Sequence, residues 1–139
     1  MITYHYETDF KLLKSRLHSK WLEAVTAYHG FTIAELNYIF CDDEYLLQIN
    51  RQYLNHDYLT DIITFPIDTT NGLQADLFIS IDRVRENADV FNVPFDEELR
   101  RVLIHGVLHL MGHKDVTSNE KQNMRKKEDE ALLMFHVKL

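Results

Sequence analysis

Residues 105–115 read HGVLHLMGHKD, with three histidines and an aspartate set among Val107, Leu108, Leu110 and Met111. Any fold for this chain must accommodate imidazole rings in an apolar segment, where a buried ring without a partner costs about 1–3 kcal/mol. With Val102, Leu103 and Ile104 just upstream, apolar side chains point in nearly every direction around a helix, the pattern of a central buried helix. His105 and His109, four residues apart, fall on one helical face about 40° apart around the axis, so their rings can converge on one point. Gly112 is suited to the positive φ of a C′ residue, which ends the helix and lets the chain turn back. A hydrogen-bonded core histidine is the ordinary fate of such a ring, but one shared cation would satisfy both at once. Two histidines and a third ligand leave the fourth position of a tetrahedral zinc ion open to water. His113 and Asp115 compete for the third place; Asp115 is favoured, because it stands where a chain returning after a helix–glycine break passes beneath the pair.

Elsewhere the periodicity switches between two and three to four. ITYHY (2–6) reads as an opening strand, and Phe10, Leu13, Leu17, Trp21, Val25 and Tyr28 as the inner face of a helix capped by Thr8 or Asp9 and stopped by Gly30. A strand is expected over 31–40. A helix follows, opened by the acidic run Asp42-Asp43-Glu44 with Leu46, Ile49 and Tyr53 facing inward. IITFPI (62–67) is a strand whose Pro66 places it at an edge or an end. The Thr70-Asn71-Gly72 turn and the alternation from Leu73 to Ile81 complete a hairpin. Three helices are expected after it, over about 83–91, 95–111 and 118–137, the last opened by the capping-box pattern Thr117-x-x-Glu120. These elements predict an α+β fold: a single domain, 1–139, with a mixed sheet of about four strands, helices packed on it and a metal site on a central buried helix.

Composition excludes several classes. A formal net charge of −7 offers a polyanion no global attraction, so any nucleic-acid contact must be local. Cys41 is the single cysteine and cannot form an internal disulfide, which fits a reducing compartment. MITYHYETDF lacks the charged and apolar regions of an export signal, and no apolar run approaches the roughly 18 residues of a membrane span. A cytoplasmic protein with no membrane partner is the expectation.

His105, Gly106, Leu108, His109, Leu110 and Gly112 match in order the signature His-Gly-x-Leu-His-Leu-x-Gly-x-Asp-His, and the segment resembles that of the YbeY family of metal-dependent endoribonucleases linked to ribosomal RNA maturation. Two further segments are similar to the family's. One is NRQYLNHDYLTDIITFPI (50–67), at Asn50, Tyr53, Asp57, Thr60, Asp61, Phe65 and Pro66; the other is ADLFISIDRVRENA (75–88), at Asp76, Ile79 and Ser80. The chain departs from the pattern at the closing Asp-His, which is Lys114-Asp115 here, and at two positions of the 50–67 segment. Asp115 stands where the family has its third ligand histidine, Leu54 where it has an arginine suited to gripping phosphate, and Leu59 where it has proline. The resemblance implies one Zn²⁺ per chain on His105, His109 and Asp115, and cleavage of single-stranded RNA. It also implies action on the 3′ end of small-subunit rRNA and in ribosome quality control, with ribosomal partners.

Such a cation would lower the pKa of a bound water toward neutrality or polarise a phosphoryl oxygen. Arg51, Asn55, His56 and Lys114 are the candidates for contacting substrate in place of the missing arginine, and Arg83, Arg85, Arg100 and Arg101 could add a basic rim. Lys121, Arg125, Lys126 and Lys127, interleaved with Glu120, Glu128, Asp129 and Glu130, read as a solvated helix face. No aromatic ladder for stacking bases is visible. A zinc peptidase would need a glutamate general base after the first histidine, and Gly106 has no side chain to offer. A non-catalytic ribosome-associated factor would have a closed structural metal, with His113 as fourth ligand. A carboxylate ligand leaves less positive charge on a metal than imidazole does, so the acid limb of the pH–rate profile is expected to move to lower pH in Asp115→His. A profile that does not move would remove Asp115 from the metal.

Overall fold

The period-two pattern of Leu73–Ser80 marks the strand around which the sheet is built. The computed structural model describes residues 1–68 and 70–136. Among them the elements run β1 (Ile2–Tyr6), α1 (Ser15–Tyr28), β2 (Ile33–Cys41), α2 (Asp43–Leu54), β3 (Ile62–Pro66), β4 (Leu73–Ser80), α3 (Ile81–Phe91), α4 (Phe95–Leu110) and α5 (Ser118–His136). The expected helical residue Val137 lies outside the described residues. The sheet order is β1-β2-β4-β3, with β1, β2 and β4 parallel and β3 antiparallel to β4, the α+β architecture with a mixed four-stranded sheet. β3 is an edge strand and ends on Pro66, where the missing N–H leaves no ladder bond unmade.

Alternation gives the sheet two different faces. Leu36, Tyr38 and Phe40 of β2 and Ala75, Leu77 and Ile79 of β4 enter the main core with α1, α3, α4 and α5. On the opposite face Cys41, Ile63, Phe65 and Phe78 meet Leu46 and Ile49 of α2. Asp42 caps α2 by accepting from the Tyr45 N–H at 2.8 Å, and Ser80 caps α3 through the Arg83 N–H at 3.3 Å. That cap starts α3 at Ile81, two residues before the expected Arg83.

The first helix begins later than its periodicity predicts. α1 starts at Ser15 after Lys14 in a left-handed conformation, with neither Thr8 nor Asp9 as its cap. Phe10 lies outside the helix, its ring edge-on to Phe40 at 5.2 Å and to Phe95 at 6.0 Å. Leu12 is buried while Leu13 is 77% exposed, the reverse of the helical expectation. Tertiary packing of an aromatic plug overrode local pattern here.

α4 is the central buried helix, with Leu99, Val102, Leu103, Ile104, Val107 and Leu108 in the core. The buried Tyr38 hydroxyl donates to the Leu103 carbonyl at 2.9 Å, tying the sheet to α4, and Trp21 Nε1 donates to the Ala131 carbonyl at 2.7 Å, tying α1 to α5. The helix lies against the sheet at Gly106, where a Cβ would sit 2.6 Å from Leu77 Cδ2, 2.9 Å from Ile62 Cδ1 and 3.1 Å from Thr64 Oγ1. That seating leaves His105 and His109 beside edge strand β3. Overpacking a core helix costs about 1–3 kcal/mol, so Gly106→Val is expected to destabilise the protein by that amount, read as a lower urea midpoint at unchanged m-value.

Candidate metal centre

Two local motifs place Asp115. After α4 the Gly112 N–H donates to the His109 carbonyl and the His113 N–H to the Leu108 carbonyl, both at 3.0 Å, with Gly112 at φ +99°. This is a Schellman motif, and it reverses the chain directly behind the histidine pair. Ahead of α5, the Glu120 N–H donates to Thr117 Oγ1 at 3.1 Å, and Glu120 Oε1 accepts from the Thr117 N–H at 2.9 Å, a complete capping box. Asp115 sits on the short bridge between these two fixed points.

The three expected donors meet. His105 Nε2 and His109 Nε2 are 3.0 Å apart, and the Asp115 carboxylate oxygens lie 3.3 Å from the first and 3.5 Å from the second. All three donor atoms fall within 4.8 Å of one another. Two imidazole nitrogens and a carboxylate oxygen on one point are a donor set suited to a divalent metal, with room for a further ligand. His113 stands apart from the group: its ring lies edge-on to His29 at 5.9 Å, and burial, with Lys127 and His109 adding to it, lowers its pKa.

Behind the donors lies a layer of buried charge. Glu128 Oε2 accepts from His105 Nδ1 at 2.6 Å, and Glu128 Oε1 accepts from Arg101 Nη1 at 3.0 Å. The side chains of Glu128 and Arg101 are 6% and 11% exposed, so both are held inside the protein. With Nδ1 committed to a carboxylate, His105 presents Nε2 as its lone-pair atom, the arrangement that fixes tautomer and ring orientation in metal-ligating histidines. Burial acts to lower the His105 pKa, but the Glu128 hydrogen bond and the pull of Glu128, Asp61 and Asp115 prevail and raise it above the usual imidazole value. Asp61 is also held above the ordinary carboxylate range, first by burial, with His105 opposing.

The donors open onto a groove of about 480 Å³ walled by the β3 edge and by the loop after α2. Asp61, Ile62 and Thr64 form one side, and Leu54, His56 and Tyr58 another. Of the expected substrate contacts, His56 lines this groove. Arg51 pairs with Asp57, Asn55 is the left-handed residue that closes α2, and Lys114 is exposed; none of the three is among the groove-lining residues. The expected basic rim does not form, because each of its arginines already has a partner. Arg83 pairs with Asp43 at 3.0 Å, Arg85 and Arg100 lie over the Phe95 and Phe135 rings, and the mostly buried Arg101 pairs with Glu98, Glu128 and the exposed Asp129.

Glu128, read from sequence as part of a solvated face, is the correction that matters most to the site. Met124, Glu128, Ala131 and Leu132 are the buried positions of α5, at spacings of four, three and one, so the signal was an acid on the apolar stripe. Neighbouring charges on the outer faces of α5 hid it.

Fold and site together define an α+β domain with a three-donor candidate metal centre at the base of an open groove. A family model described as endoribonuclease YbeY matches residues 4–136, and the chain belongs to that family. It is similar to an endoribonuclease YbeY of Flavobacterium psychrophilum, 52% identical over 138 residues and covering 99% of each chain. A protein of the same description from Bacteroides fragilis is 48% identical over 122 residues, 88% of each chain. A solution structure of a Thermotoga maritima protein superposes with a TM-score of 0.67 at 26% identity, over 97% of this chain and 89% of that one.

Loss of an outer partner of a ligating histidine typically costs 10–100-fold in metal affinity. Should this candidate group hold a divalent metal, Glu128→Gln is therefore expected to weaken its binding at least about 10-fold in competition with a chromophoric chelator, with the helical circular-dichroism signal retained. Unchanged affinity would separate Glu128 from the metal function of His105.

Proposed function

We propose that the protein is a zinc-dependent, single-strand-specific endoribonuclease, holding one Zn²⁺ on His105, His109 and Asp115. In the cell it matures the 3′ end of small-subunit rRNA and takes part in ribosome quality control in the cytoplasm, with ribosomal partners. The observation that carries this reading is the convergence of the three donor atoms within 4.8 Å at the base of an open groove, in a chain of this family.

When bound, the metal would supply Lewis acidity toward a phosphodiester and its attacking water. The chain's own part is to set the donors and their surroundings. Glu128, anchored by Arg101, keeps the His105 proton on Nδ1 and so keeps Nε2 free toward the site. The Schellman turn and capping box hold Asp115 opposite the ring pair. The β3 edge and the loop after α2 leave the site open along one side, as an extended strand requires.

The two rival readings have less support. A closed structural metal calls for a fourth protein ligand, and the residue expected for it, His113, is turned toward His29. A peptidase calls for a general base after the first histidine, where Gly106 is packed against Leu77 and Ile62.

The test is cleavage of a generic single-stranded RNA, with metal content measured for the parent, His109→Ala and Asp115→Ala. The parent is expected to hold about one metal per chain and cut; both variants should lose metal and fall by more than the 10–100-fold typical of an outer-shell loss. A parent that holds metal and leaves RNA intact would overturn the reading.

A further inference from the structure

The groove has no lysine or arginine among its described lining residues, and the chain is net −7, so attraction for a polyanion is weak where a strand would lie. The same groove has an aromatic pair on its rim. His56 and Tyr58 are stacked with ring centroids 5.1 Å apart and planes within 22°, locked by a 3.0 Å hydrogen bond between the Tyr58 hydroxyl and His56 Nδ1. Tyr58 is 57% exposed, and among the described residues neither ring makes a second ring contact.

The loop that carries the pair is preformed. Asn50, buried on α2, donates from Nδ2 to the Tyr58 carbonyl at 2.9 Å, and its own carbonyl accepts the His56 N–H at 3.1 Å. Asn55 closes α2 at φ 55°, in the left-handed region. Asn50 thus holds both ends of the 56–58 segment, the Tyr58 end by its side-chain amide and the His56 end by its backbone carbonyl, and two rings are presented to solvent, at the cost of leaving aromatic surface wet. A loop fixed this firmly around exposed rings is suited to a planar ligand.

We propose that the His56–Tyr58 stack is a nucleobase-binding platform: an unpaired base of the RNA strand stacks on it while the adjoining backbone passes the His105–His109–Asp115 group. This rests on the RNA reading above and deepens it. Stacking tolerates any base, since every base has a π face, and it requires that face to be free, which a duplex denies. The platform therefore provides single-strand preference and takes over the grip that Leu54 cannot provide where the family has an arginine.

The test uses the full-length, zinc-loaded protein and a short single-stranded RNA carrying 2-aminopurine, comparing parent, Tyr58→Ala, His56→Ala and Tyr58→Trp. In the parent the probe's fluorescence should be quenched on binding. Its affinity should fall with salt at a slope of about one to two phosphate contacts, near −0.7 per contact. Tyr58→Ala is expected to raise KM about 10-fold, equal to about 1.4 kcal/mol, to abolish the quench and to leave zinc content and melting temperature unchanged. His56→Ala should follow it more weakly, and Tyr58→Trp should restore both KM and quench. An active parent whose KM and quench are untouched by Tyr58→Ala would overturn the platform and leave the nuclease reading standing. A parent that neither binds nor cuts the RNA would overturn both.

Discussion

The close seating of α4 on the sheet at Gly106 is the contact on which the site depends. The tips of Leu77, Ile62 and Thr64 fill the space that a Cβ on Gly106 would take, so these side chains would have to move to admit one, and the neighbouring side chains of the helix are directed with little freedom. His105 and His109 are thereby set beside edge strand β3, where one side of the helix is not covered by core. The Tyr38 hydrogen bond to the Leu103 carbonyl anchors the same helix from within the core. Position and aim of the ring pair follow from packing, before any ligand is considered.

The buried charges behind the rings serve orientation more than stability. Desolvating Arg101 and Glu128 is costly, and an apolar pair of the same volume could hold the helices together as well. What the ion pair adds is a carboxylate at a fixed distance from His105 Nδ1, which selects one tautomer of one ring. Asp61 and Glu98 extend this acidic layer, and both have pKa values raised primarily by burial. The layer raises the basicity of His105, and a basic imidazole is also the better metal ligand.

Much of the framework was legible because its signals are local. The alternation of β4, the Gly72 turn, the proline at the end of β3, the capping box at Thr117 and Glu120, and the glycine stop at 112 each concern residues within a few positions of one another. The pairing of His105 with His109, and the return of Asp115, follow from helical spacing and one positive φ. The start of α1 was not legible, because Phe10 is held by Phe40 and Phe95 from distant elements. His56 was legible as a candidate substrate contact, but its stacking with Tyr58 was not, for a related reason. Two rings two residues apart form no periodic pattern, and only the loop closed by Asn50 stacks them.

The sequence by itself determined most of the elements, the two faces of the sheet strands and the three converging donors, since helix pitch, strand pleat and turn chemistry act over spans the chain encodes contiguously; Leu13, Tyr28 and Tyr53, read as inward-facing, are exposed. Only the tertiary structure decided which charges face inward. Arg101 and Glu128 come from α4 and α5, 27 residues apart, and their burial depends on how those helices pack rather than on anything either segment states alone. It likewise decided that the arginines outside the groove would pair with acids or rings instead of lining it. A long charged side chain takes whichever partner the fold brings within reach.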